Sequence, residues 1–188
     1  MFAIDSHQCT YDYELDYDIK AKSKVLKNTK YFKLTNTIRI NKELSLFIKN
    51  LFNRKFMHPH ILYNNVEIMN TENENELIHT INYFINKSYT FIHYSDDNSE
   101  TGKALLPLSA FDTANVTGQE FAKIIMFVDE RFFYKGNNLK SHNDGNTLLS
   151  RMLYQGLTRA RESIAIIVYN NKNVYNALMD ILLTNSKK

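Results

Sequence analysis

Two uninterrupted apolar runs restrict what this chain of 188 residues can fold into. Residues 123–129 read KIIMFVD and residues 163–169 read SIAIIVY. A strand exposed on one face alternates apolar and polar residues, whereas these runs do not alternate. They are the pattern of strands buried on both faces, as in parallel sheets covered by helices on either side. The rest of the chain supplies those helices. From Asn41, a suitable N-cap, Leu44, Phe47, Ile48, Leu51 and Phe52 recur at helical spacing. Residues 66–69 predict a strand. Thr71 and Glu74 have capping-box spacing and open a helix carrying Leu77, Ile78, Ile81, Phe84 and Ile85. Residues 31–34 and 89–94 predict further strands, and residues 10–30 alternate at period two, as an extended segment does. Residues 95–109 and the Gly- and Asn-rich residues 131–146 read as loops. Leu149, Leu153 and Leu157 mark a helix running to near Arg161, and Asn173 can cap a last helix striped by Val174, Ala177, Leu178, Ile181 and Leu182. Strands alternating with helices predict an α/β fold with a mainly parallel sheet and helices on both faces.

Composition narrows the function classes. Hydrophobic residues make up 44% of the chain, enough for a core, and a net charge of +3 permits nucleic-acid binding without arguing for it. The single cysteine, Cys9, excludes a disulfide framework and a cysteine-based zinc site. No stretch approaches the ~20 apolar residues of a membrane span, and the N-terminus lacks a signal-peptide pattern. A cytoplasmic setting with no membrane partner is the expectation. Asp12, Glu14, Asp16 and Asp18 lack the Gly and Glu of a calcium loop, since Tyr17 and Ser23 occupy those positions. His58 and His60 have no third ligand nearby and read as a surface turn. Tyr11, Tyr13 and Tyr17 are candidates for stacking on bases.

Four segments carry candidate chemistry, and each also has a plain structural reading. Arg159 follows Leu157 by two residues, so on a helix it lies about 200° away from the leucine stripe. It would then point out of the packed layer, where its rigid, permanently charged fork suits a phosphate. Open parallel sheets bind ligands beyond the carboxyl ends of their strands. Arg159 and Arg161 can equally be solvated charges pairing with Glu162. Gly118 permits a tight turn before residues 123–129, and Glu120 can accept from sugar hydroxyls or simply face water. Gln8, after Asp5-Ser6-His7, can bond a phosphate oxygen and a water, or belong to a terminal polar loop. Arg39, ahead of the helix at residue 41, is a phosphate ligand or a surface charge.

In this order and spacing the four segments resemble motifs III to VI of superfamily 1 helicases of the UvrD/Rep type. The likeness is to the Schlafen group-3-like DNA/RNA helicase domain in particular, and it runs from residue 1 to about residue 184. Asp5 and Gln8 match motif III, and Arg39 matches motif IV. Gly118-Gln119-Glu120-Phe121 matches the Gly-x-Glu-Phe of motif V. Tyr154-Gln155-Gly156-Leu157-Thr158-Arg159-Ala160-Arg161 matches the Tyr-x-x-Leu-Thr-Arg-Ala-Arg of motif VI throughout. The resemblance implies that residues 31–188 form a second RecA-like domain of the P-loop NTPase kind, and that residues 1–30 are a remnant of the first. It implies ATP with Mg²⁺ in a cleft between two such domains. Gln8, Arg39 and Arg159 would reach the γ-phosphate, Arg159 as the finger stabilising transition-state charge. Glu120 would contact the ribose; Gly118, Asp5 and Arg161 would help to form the nucleotide site. Single-stranded DNA or RNA would cross the tops of the domains.

The phosphate-cradling pattern Gly-x-x-x-x-Gly-Lys-[Ser/Thr] does not occur among glycines 102, 118, 136, 145 and 156. Asp129-Glu130 ends a strand but follows motif V, where the family does not place its Mg²⁺ site. The expectation is therefore the carboxy-terminal half of a motor, inactive alone, its first half lying upstream or on a partner protein. The alternative is a non-catalytic nucleic-acid- or protein-binding module derived from a helicase half.

Overall fold

The computed structural model describes residues 41–56, 62–142 and 148–183. Asp5, Gln8, Arg39, residues 1–30 and the strand expected at residues 31–34 lie outside them. The first described helix, α1 (Lys42–Phe52), starts where expected, with the Asn41 side chain accepting from the Glu43 backbone N–H. Its buried face is Leu44, Phe47, Ile48 and Leu51. Strand β1 (Val66–Thr71), helix α2 (Glu74–Asn86) and strand β2 (Thr90–His93) follow. The α2 cap differs from the expectation. Thr71 is the buried last residue of β1, and Asn73 accepts from the Glu76 N–H instead. Both residues have cap chemistry at a workable spacing, and the ladder of β1 with its neighbour claims Thr71.

The segment expected as a loop at residues 95–109 contains a short helix, α3 (Glu100–Leu105), capped by Ser99, and a 3₁₀ turn (Leu106–Leu108). A two-residue strand, β3 (Phe111–Asp112), comes next. Strand β4 (Phe121–Val128) contains the first apolar run. The second expected loop begins as a hairpin, β5 (Phe132–Lys135) and β6 (Asn138–Ser141). Gly136 takes φ +61° at the first loop position while Asn137 keeps a negative φ, the pattern of a II′ turn. Phe132 and Leu139 are buried and anchor the hairpin on the core. The Tyr134 hydroxyl donates to the Leu51 carbonyl on α1 at 2.8 Å.

Helix α4 (Leu149–Leu157) is shorter than the leucine pattern suggested. The Thr158 hydroxyl donates to the Gln155 carbonyl, and the Arg159 N–H closes back on Gly156 at 3.0 Å. Strand β7 (Ala160–Tyr169) then begins at once, three residues earlier than the apolar run alone indicated. Helix α5 (Lys172–Leu183) is capped by Asn171, which accepts from the Val174 N–H at 3.1 Å, rather than by Asn173. Asn171 is held there because its amide also donates to the Asp129 and Phe132 carbonyls.

The main sheet has five strands in the order β1-β7-β4-β2-β3, all parallel. Its central strands are buried through Ile124–Val128 and Ile164–Val168. Alternate residues serve opposite faces. Ile92 and Met126 lie against Gly156 of α4. Phe91, His93 and Phe127 form an aromatic group on the other face, where His93 Nε2 meets the Gly102 carbonyl of α3 at 2.8 Å. This is the α/β architecture expected from the apolar runs, with helices on both faces. Among the described residues no helix is long and apolar enough to cross a membrane.

Candidate functional site at the amino edge of the central strands

The segments resembling motifs V and VI are about forty residues apart in sequence, and the sheet brings them together. Motif V runs into β4 and motif VI into β7, and these strands are parallel neighbours. The Phe121 N–H donates to the Arg159 carbonyl at 3.0 Å, so the two segments meet at the first rung of the ladder. Gly118 has φ +82°, which supports the reading of a tight turn that a side chain would strain. Glu120 and Arg161 form an ion pair across the two strands, each side chain 36% exposed.

Two positional expectations change. Arg159 is not on the outward side of a helix; it sits in the turn after α4 and is 6% exposed. The four residues sit at the amino ends of their strands, not beyond the carboxyl ends. The reason is the early stop of α4. With the helix closed at Leu157, Arg159 enters the sheet layer, and the next outward charge is Arg161. Among the site residues expected from sequence, the fold thus gathers Gly118, Glu120, Arg159 and Arg161. Asp5, Gln8 and Arg39 are outside the described residues.

Gln155 fills a variable position of the motif, yet it joins the two segments. It is 4% exposed. Its amide donates to the Thr113 carbonyl at 2.8 Å and to Thr117 Oγ1 at 2.9 Å, on the approach to Gly118. Among the described residues its own Oε1 has no hydrogen-bond partner. The available signal was a polar residue one position from Tyr154 on a helix whose other inward residues are apolar. Thr113 and Thr117 supply the missing half of that signal, and only the fold places them beside it.

At the opposite edge, β4 connects leftward to β7 and β2 connects rightward to β3. The crevice between such diverging strands is where open sheets receive ligands. Here it is filled. Arg131 donates to both oxygens of Asp97 at 2.8 Å and pairs with Asp129 at 2.6 Å. The Asp97 and Asp129 side chains are 0% and 2% exposed. Burial by itself raises the Asp97 carboxyl, but the Arg131 and Ser99 hydrogen bonds and the Arg131 charge outweigh it, leaving the pKa below its usual value. The Arg131 guanidinium is held protonated correspondingly more firmly. Asp129, set aside in the sequence as a metal ligand, is half of this buried pairing. Among the described residues no three His, Cys, Asp or Glu side chains converge to hold a metal ion.

At the amino edge the arrangement offers two permanent cations and one carboxylate within a few residues. That set suits a phosphate-bearing ligand with sugar hydroxyls. No protein-family model matches the chain, and no curated protein does. Among solved structures, the chain is similar to the C-terminal domain of a possible DNA helicase from Lactobacillus plantarum WCFS1. The identity is 14% and the TM-score 0.45, covering 76% of this chain and 97% of that one.

Proposed function

We propose that this chain is the second RecA-like half of a superfamily 1-type, ATP-dependent helicase motor. The observation that carries the reading is the meeting of Gly118-Gln119-Glu120-Phe121 and Tyr154–Arg161 on adjacent central strands, joined through Phe121 and Arg159. In this reading ATP and Mg²⁺ are held by a first half that contributes the phosphate-cradling loop. Arg159 supplies the cation for transition-state charge, and Glu120 takes the ribose hydroxyls once Arg161 releases it. Because Arg159 is buried and Glu120 is paired, the amino edge has to rearrange as the cleft closes. Gln8 and Arg39 complete the γ-phosphate contacts, with Asp5, Gly118 and Arg161 around them. Single-stranded DNA or RNA is the track.

The test is ATPase activity with and without a first half that carries Gly-x-x-x-x-Gly-Lys-[Ser/Thr]. The isolated chain is expected to hydrolyse ATP at background rate. In the reconstituted pair Arg159→Ala is expected to lower kcat by about 10³-fold or more, and Arg161→Ala to raise KM more than it lowers kcat. Robust turnover by the pure chain, or a near-wild-type rate in the Arg159→Ala pair, overturns the reading.

The Glu120–Arg161 pair, each side chain 36% exposed, is a charged patch at this edge that also suits a second reading. In it the chain is a non-catalytic module that binds nucleic acid or a partner protein through the same edge. Salt-dependent binding of single strands with no response to ATP in the reconstituted pair would select it.

A further inference from the structure

The two edges of the main sheet are unequal. β3 forms one edge with two residues. β1 forms the other with six, and among the described residues it is paired on one side alone. The Ile164 N–H donates to the Asn65 carbonyl, and the Asn170 N–H donates to the Thr71 carbonyl. In the parallel register of Val66 with Ile164, these bonds turn the backbone groups of Glu67 and Met69 toward β7. Those of Val66, Ile68 and Asn70 therefore face away from the sheet. Among the described residues no hydrogen bond takes up their N–H and C=O groups.

Sheet edges are usually guarded by proline, lysine, a bulge or a covering segment. The β1 sequence VEIMNT has neither proline nor lysine, and its ladder with β7 runs without a register shift. Glu67 and Met69 share the face that α2 covers. There the Tyr89 hydroxyl, on a ring packed against Phe84 of α2, donates to Glu67 at 2.9 Å. Met69 and Tyr83 are both exposed. Lys87 lies 4.3 Å from the Tyr83 ring centre, and its pKa is raised by the Tyr83 hydroxyl first and by the Glu67 charge as well. Tyr83 and Lys87 thus flank the same edge.

We infer that β1 pairs antiparallel with β1 of a second copy of this chain, joining two sheets into one across a two-fold axis. The backbone sets the register. A two-fold pairing has to centre on a residue whose groups face outward, and Ile68 is the middle one of the three. Ile68 then meets Ile68 of the second copy and Val66 meets Asn70, each bonding through both its N–H and its C=O. On the α2 face Glu67 comes opposite Met69. The strand's one charge therefore meets an exposed apolar side chain and never its own copy. Such self-complementarity is what an isologous interface requires, which selects a second copy as the occupant. The pairing uses none of Gly118, Glu120, Arg159 or Arg161, so it stands or falls apart from the helicase reading.

Sedimentation of the full chain, with hydrogen exchange across a concentration series, tests this. Dimer is expected to dominate at about 100 μM and monomer on dilution. Exchange at the Val66, Ile68 and Asn70 N–H groups is expected to slow as concentration rises, with Glu67 and Met69 changing far less. Asn70→Pro removes an outward donor and spares the ladder with β7. It is expected to weaken the dimer by about tenfold or more. Met69→Glu sets a carboxylate opposite Glu67 of the second copy and is expected to weaken it by about threefold or more. Met69→Lys sets an ammonium there and is expected to match or tighten the wild-type dimer. Circular dichroism checks that the variants are folded. A monomer throughout the series overturns the inference. So does a dimer whose outward β1 amides exchange independently of concentration, or equal weakening by Met69→Glu and Met69→Lys.

Discussion

A single hydrogen is all that position 156 can carry. A Cβ on Gly156 would lie 2.3 Å from Met126 Sδ and 2.9 Å from its methyl carbon, and Met126 is fully buried. Gly156→Ala would gain about 1 kcal/mol of helix propensity and lose about 1–3 kcal/mol to overpacking. The expected net result is a loss on the order of 1 kcal/mol in urea unfolding, and more for Gly156→Val. Shortening the neighbour with Met126→Val should make Gly156→Ala less harmful than the sum of the two changes. Strict additivity would show that Met126 moves aside freely. The motif pattern treats position 156 as variable, so nothing in the sequence flagged this contact. Position 159 teaches the converse. The sequence singled out Arg159, yet its outward position rested on a helix that in fact stops at Leu157.

Elements were legible where one physical signal dominated. The apolar face of α1 and the runs in β4 and β7 each point to one answer, and the fold agrees. Where two cap residues competed, at Thr71 against Asn73 and at Asn173 against Asn171, hydrogen bonds made elsewhere decided. The hairpin was masked because Gly136 and its asparagine neighbours serve a strand turn as readily as a loop. The corner after β4 carries a testable consequence of its own. Arg131 ties that corner to the segment before α3 through Asp97, and Arg131→Met would leave two carboxylates buried without their cation. The expected loss is about 3–5 kcal/mol in chemical denaturation; a loss under about 1 kcal/mol would show that water reaches the pair. Because the Asp97 carboxyl titrates below its usual 3.8 when folded, its contribution is complete above that value and fades as pH falls through the lower one. The stability gap between wild type and Asp97→Asn is therefore expected to narrow below about pH 4. A gap independent of pH would count against the ion pair as its source.

For the molecule as a whole, stability should be centred on β4 and β7. These strands are adjacent, buried on both faces and flanked by neighbours on either side. Native-state hydrogen exchange is expected to be slowest at Ile124–Val128 and Ile164–Val168, at the global limit. Exchange at β5 and β6 should be faster, since their ladder joins only two strands. Equal protection in the hairpin and the central strands would show one indivisible cooperative unit. The sequence by itself determined the layer architecture, because burial on both faces of a strand leaves a composition that no exposed strand shares. It also marked the amino-edge residues Gly118, Glu120, Arg159 and Arg161 by their order and spacing. Only the tertiary structure decided that Glu120 faces Arg161, that Gln155 ties the two segments, that Arg159 is buried, and that the crevice between β2 and β4 is closed by Arg131. Each of those depends on where a helix stops or which strands become neighbours. Such outcomes are set by long-range packing, and local periodicity does not encode them.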